Sequence, residues 1–162
     1  MNKLNVLRIG AVALCLTVVL TAAAGVGLAQ TDPHAGTWVL NLEKSTYAPG
    51  TAPKSQTSVF AADGQGLKVV TSAVGASGPT KTEYTATFDG KDHPVKGNAD
   101  WDTTALKRID ARSIEFTRKK GGKVVQTARS VVAADGMTRT VTVTGVNAQG
   151  QKVNTVALYV KK

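Results

Sequence analysis

Residues 80–90 read Thr80-Lys81-Thr82-Glu83-Tyr84-Thr85-Ala86-Thr87-Phe88-Asp89-Gly90. Thr82, Tyr84, Ala86 and Phe88 fall on one side of an extended chain and Lys81, Glu83, Thr85 and Thr87 on the other. That two-residue period belongs to a half-buried strand. Asp89-Gly90 then ends it, because glycine accepts the positive φ of a tight hairpin turn. The unit recurs in both directions. Upstream, Gly36 to Leu42 alternates Trp38, Leu40 and Leu42 against Thr37, Val39 and Asn41; a Pro- and Gly-bearing loop follows from Tyr47 to Pro53, and Lys54–Ala61 and Gly66–Val74 flank Asp63-Gly64. Downstream come a short strand at His93–Lys96, weakened by Pro94, then Trp101–Ile109, Ser113–Lys119, Val124–Ala133, Met137–Gly145 and Lys152–Val160, with turns at Asp110-Ala111, Gly121-Gly122, Asp135-Gly136 and Asn147–Gly150.

No stretch of this part shows helical periodicity. The expected fold is all-β, an antiparallel up-and-down meander of about ten strands. Short connections favour neighbouring antiparallel strands. An open sheet of that width leaves two long unpaired edges, which closure into a barrel removes. A two-sheet sandwich permits the same alternation, so the pattern alone leaves both closures open.

Length and composition fit one such domain. The chain has 162 residues, 42% apolar and 19% charged, with 5% aromatic residues, a balance that excludes a disordered tail and a multi-span membrane protein. Residues 1–29 read as a secretory leader: Lys3 and Arg8 precede an apolar run from Ile9 to Leu20, and Gly27 and Ala29 stand as the −3 and −1 residues of a cleavage site. A spanning helix needs about twenty apolar residues, more than this run supplies, so no stable membrane insertion is expected after cleavage. The single cysteine, Cys15, lies inside the leader and does not follow a small residue as a lipidation site requires. The expected mature chain is therefore periplasmic or extracellular and free of thiols. It comprises a flexible tail over 30–35 and one domain over 36–162.

Gly36-Thr37-Trp38 at the start of the first strand resembles the Gly-x-Trp opening shared by lipocalins, fatty-acid-binding proteins and avidins, the calycin group. The stretches Asp89–Val95, Lys107–Asp110 and Arg118–Val125 are similar to those of secreted bacterial lipocalin-like proteins of unestablished function. The resemblance implies a fold rather than an activity. It implies that Trp38 packs across the closed end of a barrel under a cation, commonly an Arg of the last strand. Here Val153–Val160 contains no Arg and Lys161-Lys162 follow it, so the cation is absent or comes from another strand. The Glu43–Pro53 stretch is too short for the two helices of fatty-acid-binding proteins, whose Arg-x-Tyr pair is met only by Tyr159 in Ala157-Leu158-Tyr159. Trp38 and Trp101 alone are too few for an avidin-type pocket.

Catalytic and metal chemistry find little material. His34 falls in the expected tail. His93 has Asp92, Asp100 and Asp102 within ten residues, but their spacing matches no recognised ligand motif and reads as a solvated turn. The Asp-Gly pairs bring too few oxygens for calcium, and no glycine-rich phosphate loop precedes a helix. No catalytic residue, metal or cofactor is expected. The basic excess is +9 overall and +7 without Lys3 and Arg8. It gathers at Lys107-Arg108 and at Arg118-Lys119-Lys120-Gly121-Gly122-Lys123, a patch suited to anionic envelope lipid or polysaccharide. Nucleic acid is not expected, since stacking aromatics do not accompany the charges.

Candidate ligand contacts are the aromatic residues at alternating strand positions, Trp38, Tyr84, Phe88, Trp101, Phe116 and Tyr159, together with Arg139. Arg139 stands between Met137 and Val141, opposite a face of threonines, so it points inward if the apolar face does. An enclosed guanidinium needs an anion or several acceptors. Two functions follow as expectations: a non-catalytic exported protein holding a small apolar or amphipathic ligand inside the barrel, or a structural protein whose basic outer face contacts anionic envelope polymers.

Overall fold

The computed structural model describes residues 32–50 and 52–162; the leader expected over 1–29 lies outside them. Ten strands follow one another: β1 (Gly36–Thr46), β2 (Ser55–Asp63), β3 (Gly66–Gly75), β4 (Gly78–Thr87), β5 (His93–Pro94), β6 (Thr103–Asp110), β7 (Ser113–Lys120), β8 (Lys123–Val132), β9 (Thr138–Val146) and β10 (Lys152–Lys161). The described residues contain no helix.

All ten strands belong to one antiparallel sheet in the order β4-β3-β2-β1-β10-β9-β8-β7-β6-β5. β1 and β10 pair, placing the first and last strands side by side. The two ends of the sheet meet at Glu83 and Lys96, whose backbones exchange hydrogen bonds of 3.0 and 2.9 Å. The sheet is thus a nearly closed barrel, an up-and-down meander, and not a pair of stacked layers.

Gly97 makes this seam possible. Its φ is +74°, and a Cβ there would lie 1.9 Å from the Lys81 carbonyl oxygen, so only glycine lets the two sheet ends approach.

The interior has two levels. At the end where β1 begins, Trp38, Phe60, Leu67, Leu106, Ile114 and Val132 pack into a continuous core. Below Trp38, residues 32–35, read from sequence as part of a flexible tail, form a turn against the barrel: Trp38 donates its indole N–H to the His34 carbonyl at 2.8 Å, and His34 is fully buried. Asp32 bonds Arg108, whose guanidinium lies 3.9 Å from the centre of the Phe88 ring. Burial alone would raise the Asp32 pKa, but hydrogen bonds from His34 and the charge of Arg108 outweigh it and hold the carboxyl at about 2. Nothing in the apolar pattern of four residues announces this plug.

Leu42 departs from its expected place beside Trp38 and Leu40. The β1–β10 register shifts between Asn41 and Thr46, so that Asn41 faces Leu158 and Thr46 faces Val156. The extra residues loop outward, with Ser45 Oγ donating to the Asn41 carbonyl and accepting from the Leu158 N–H. Leu42 is left exposed.

Candidate ligand-binding site

The other level is hollow. Toward the opposite ends of the strands a cavity of about 320 Å³ opens among β2, β3, β4 and β7–β10. Small side chains make the space: Ala73, Thr80, Thr82, Thr155 and Ala157 stand where the packed level has Leu, Ile and aromatic residues. Val141, Val143 and Val153 form one apolar wall, and Trp101 forms another.

The link between β5 and β6 reaches across the open end. Asn98 Nδ2 donates to Thr82 Oγ1 on β4 at 3.3 Å, while Asp100 Oδ1 accepts from the Ala148 N–H in the β9–β10 turn at 2.9 Å. Asn98 Oδ1 also accepts from the Asp100 and Trp101 amides, which fixes the approach to the indole. Trp101 meets Tyr84 edge to face, with centroids 6.0 Å apart and planes at 70°.

Tyr159 forms the floor. Its hydroxyl accepts from Gln56 Nε2 at 2.8 Å, and Tyr47 lines the cavity with it. Burial raises the pKa of both phenols.

Arg118 is the cation of the cavity lining. From sequence it belongs with the basic hairpin tip, yet in the alternation Ile114, Phe116, Arg118 it shares their inward side. Its guanidinium lies 4.6 Å from the Trp101 ring centre and donates from Nη1 to Gln126 Oε1 at 3.0 Å. Nε is buried with no hydrogen-bond partner among the described residues, and the group makes no ion pair among them. Burial lowers its pKa; Tyr84, Tyr159 and Asp100 oppose that.

A bulge follows this pair. Arg118 faces Gln126 but Lys119 faces Val124, so Val125 is the extra residue. Gln126 keeps the inward side of Ala128, Ser130 and Val132, and the change of parity beyond it leaves Val124 exposed. The Val125 carbonyl fills the space beside Gly145, where a Cβ would lie 2.1 Å from that oxygen.

Of the candidates from sequence, Trp101 and Tyr159 line the cavity. Trp38 and Phe116 are packed in the core, and Phe88 lies under Arg108 at the closed end. Tyr84 packs behind Trp101 and borders a separate recess of about 250 Å³ at the seam, beside Val69 and Pro94. Arg139 points inward, as its alternation implies, but below the cavity: its guanidinium lies 4.3 Å from Phe60, 4.7 Å from Tyr159 and 5.0 Å from Trp38. With Lys161 Nζ 5.1 Å from the same indole, Trp38 is covered by two cations, one from β9 and one from β10.

The acidic residues around His93 do not converge. His93 Nε2 meets Asp89 at 3.3 Å and Thr87 Oγ1 at 3.2 Å, whereas Asp92 pairs with Lys119, Asp102 accepts from the Gly121 N–H, and Asp100 holds Ala148. Among the described residues no group of three or more His, Cys, Asp or Glu is placed to hold a metal ion. The basic tip is also reduced. Arg118 turns inward, Lys119 is paired and Arg108 is engaged at the closed end, leaving Lys107, Lys120 and Lys123 of the basic stretches exposed. Compared with models of known protein families the chain matches none, and no curated protein matches it.

Proposed function

We propose that the chain is an exported, non-catalytic binding protein that holds a small amphipathic molecule in the open half of its barrel. The observation that carries the reading is the cavity of about 320 Å³, walled by valines and an indole and edged by hydroxyl, amide and guanidinium groups. Small-molecule sites begin near that size and combine apolar walls with a few oriented polar groups. The leader-like residues 1–29 support export to the periplasm or beyond. The alternative, contact with anionic envelope polymers through a basic outer face, draws on fewer free cations than the sequence counts.

Trp101 lines the cavity and Trp38 is sealed at the other end, which gives the test a built-in control. Protein purified from its own host is expected to carry a small molecule in native mass spectrometry. Adding that molecule to stripped protein is expected to change tryptophan emission in the parent but not in Trp101→Phe. A clean apo mass, together with unchanged emission across a panel of small amphipathic compounds, would overturn the proposal.

A further inference from the structure

Resting on the cavity reading above, we infer that the ligand carries a single negative charge, a carboxylate, and that Arg118 receives it. Arg118 is the cavity's cation, and Asp100 at the rim its carboxylate. Asp100 is turned toward the Ala148 amide and makes no ion pair with the guanidinium. Arg118 is half-buried with its Nε shielded from solvent, and a partly desolvated cation without a paired anion is unfavourable unless something else supplies one. One nitrogen, Nη1, is fixed by Gln126, and the ring of Trp101 supports the planar face, so the group is held in one orientation before any ligand arrives. Such a held guanidinium suits an oxyanion, because its N–H groups lie in one plane and match carboxylate geometry. One guanidinium neutralises one charge, and Asp100 at the rim disfavours a second. A monocarboxylate therefore fits better than a phosphate dianion.

The surroundings define the rest of the molecule. Trp101 on one side and Val141, Val143 and Val153 on the other leave an apolar slot beside the charge. The ligand class is a compact aromatic or short-chain aliphatic acid, with its carboxylate on Arg118 and its body between indole and valines. Arg139 has no such role, since it lies beneath Tyr159 and outside the cavity lining.

The test compares acids with their neutral amides in the purified protein: indole-3-acetate with indole-3-acetamide, and octanoate with octanamide, by isothermal titration calorimetry. Each acid is expected to bind about ten- to a hundredfold more tightly than its amide, the size of one charge-assisted hydrogen-bonded contact. Arg118→Gln is expected to erase that preference and retain amide binding, which also reports that the variant is folded. Equal binding of acid and amide to the parent, or a preference that survives in Arg118→Gln, overturns the carboxylate assignment while the cavity reading stands. Failure of all four compounds to bind overturns the cavity reading and this inference with it.

Discussion

Arg118 and Arg139 both enter the barrel, and their surroundings separate their roles. Arg139 is 2% exposed, its Nε and Nη1 have no hydrogen-bond partner among the described residues, and three aromatic rings surround it. Burial pushes its pKa down to about 10, against the fields of Tyr159 and Tyr84. Cation–π contacts of about 0.5–2 kcal/mol each offset much of that desolvation. The net contribution of the charge is therefore small and the volume matters more. Arg139→Met, which fills the same space, is expected to stay within about 1 kcal/mol of the parent in urea unfolding. Arg139→Ala opens a void beneath Trp38 and Tyr159 and is expected to cost about 3 kcal/mol. Were the Met variant to lose as much as the Ala variant, the charge rather than the packing would hold the closed end. Neither change is expected to alter ligand affinity, since Arg139 stands outside the cavity lining.

The β7–β8 hairpin carries an irregularity directly beside the site. The Val125 bulge follows the regular Arg118–Gln126 pair and turns Val124 outward, where alternation from Gln126 would aim it inward. Gly145 admits the bulge, and its φ of +139° is a second reason for glycine there. Gly145→Ala is expected to lower stability by about 1–3 kcal/mol, the range for overpacking, and also to displace Gln126 and free the Arg118 guanidinium. Denaturant unfolding reads the first effect. The second is read as a reduced preference for acid over amide with cavity binding retained. If the acid preference survived a measurable loss of stability, the bulge would be structural alone. The hairpin also separates what the sequence discloses from what it hides. Strand order, Asp-Gly turns and the inward side of Trp38, Phe116 and Arg139 are written in alternation and turn chemistry. Arg118 was equally legible, two positions after Phe116, but its cationic neighbours Lys119 and Lys120 mask it. The inward side of Gln126 follows from its step with Ala128, Ser130 and Val132, but the outward turn of Val124 was not legible, because a bulge reverses parity without a residue type that marks it. The cavity is a sum of small side chains from strands far apart in the chain, and the plug at 32–35 is held by bonds from the distant Arg108 and Lys161 as well as from the Trp38 indole. Neither has a local pattern.

At the scale of the whole molecule, the barrel joins a packed end to a hollow one and closes through two backbone hydrogen bonds at Glu83 and Lys96. The chain's three tyrosines, Tyr47, Tyr84 and Tyr159, lie at or between these levels, and burial raises the pKa of each, Tyr84 to about 12. An unfolded phenol ionises near 10. Above that pH the unfolded chain has released protons that the folded chain still holds, so stability is complete below pH 10 and falls as pH rises from there. Tyr84 alone accounts for about 2 kcal/mol of loss by pH 12. Arg139 and Arg118 act in the opposite sense, because burial lowers the pKa of both in the folded protein below that of an unfolded arginine, that of Arg139 to about 10. They are two groups against three, so the net slope is downward but shallower than the phenols alone would give. Phenolate absorbance is therefore expected to stay near zero in the folded protein at pH 10–11 and to appear together with the loss of strand circular dichroism. Tyr84→Phe, which leaves the edge contact with Trp101 in place, is expected to flatten the decline between pH 10 and 12. If phenolate appeared near pH 10 while the strand signal persisted, the phenols would be open to solvent, and the barrel could not be as closed around Tyr84 and Tyr159 as the seam and the strap over its mouth require.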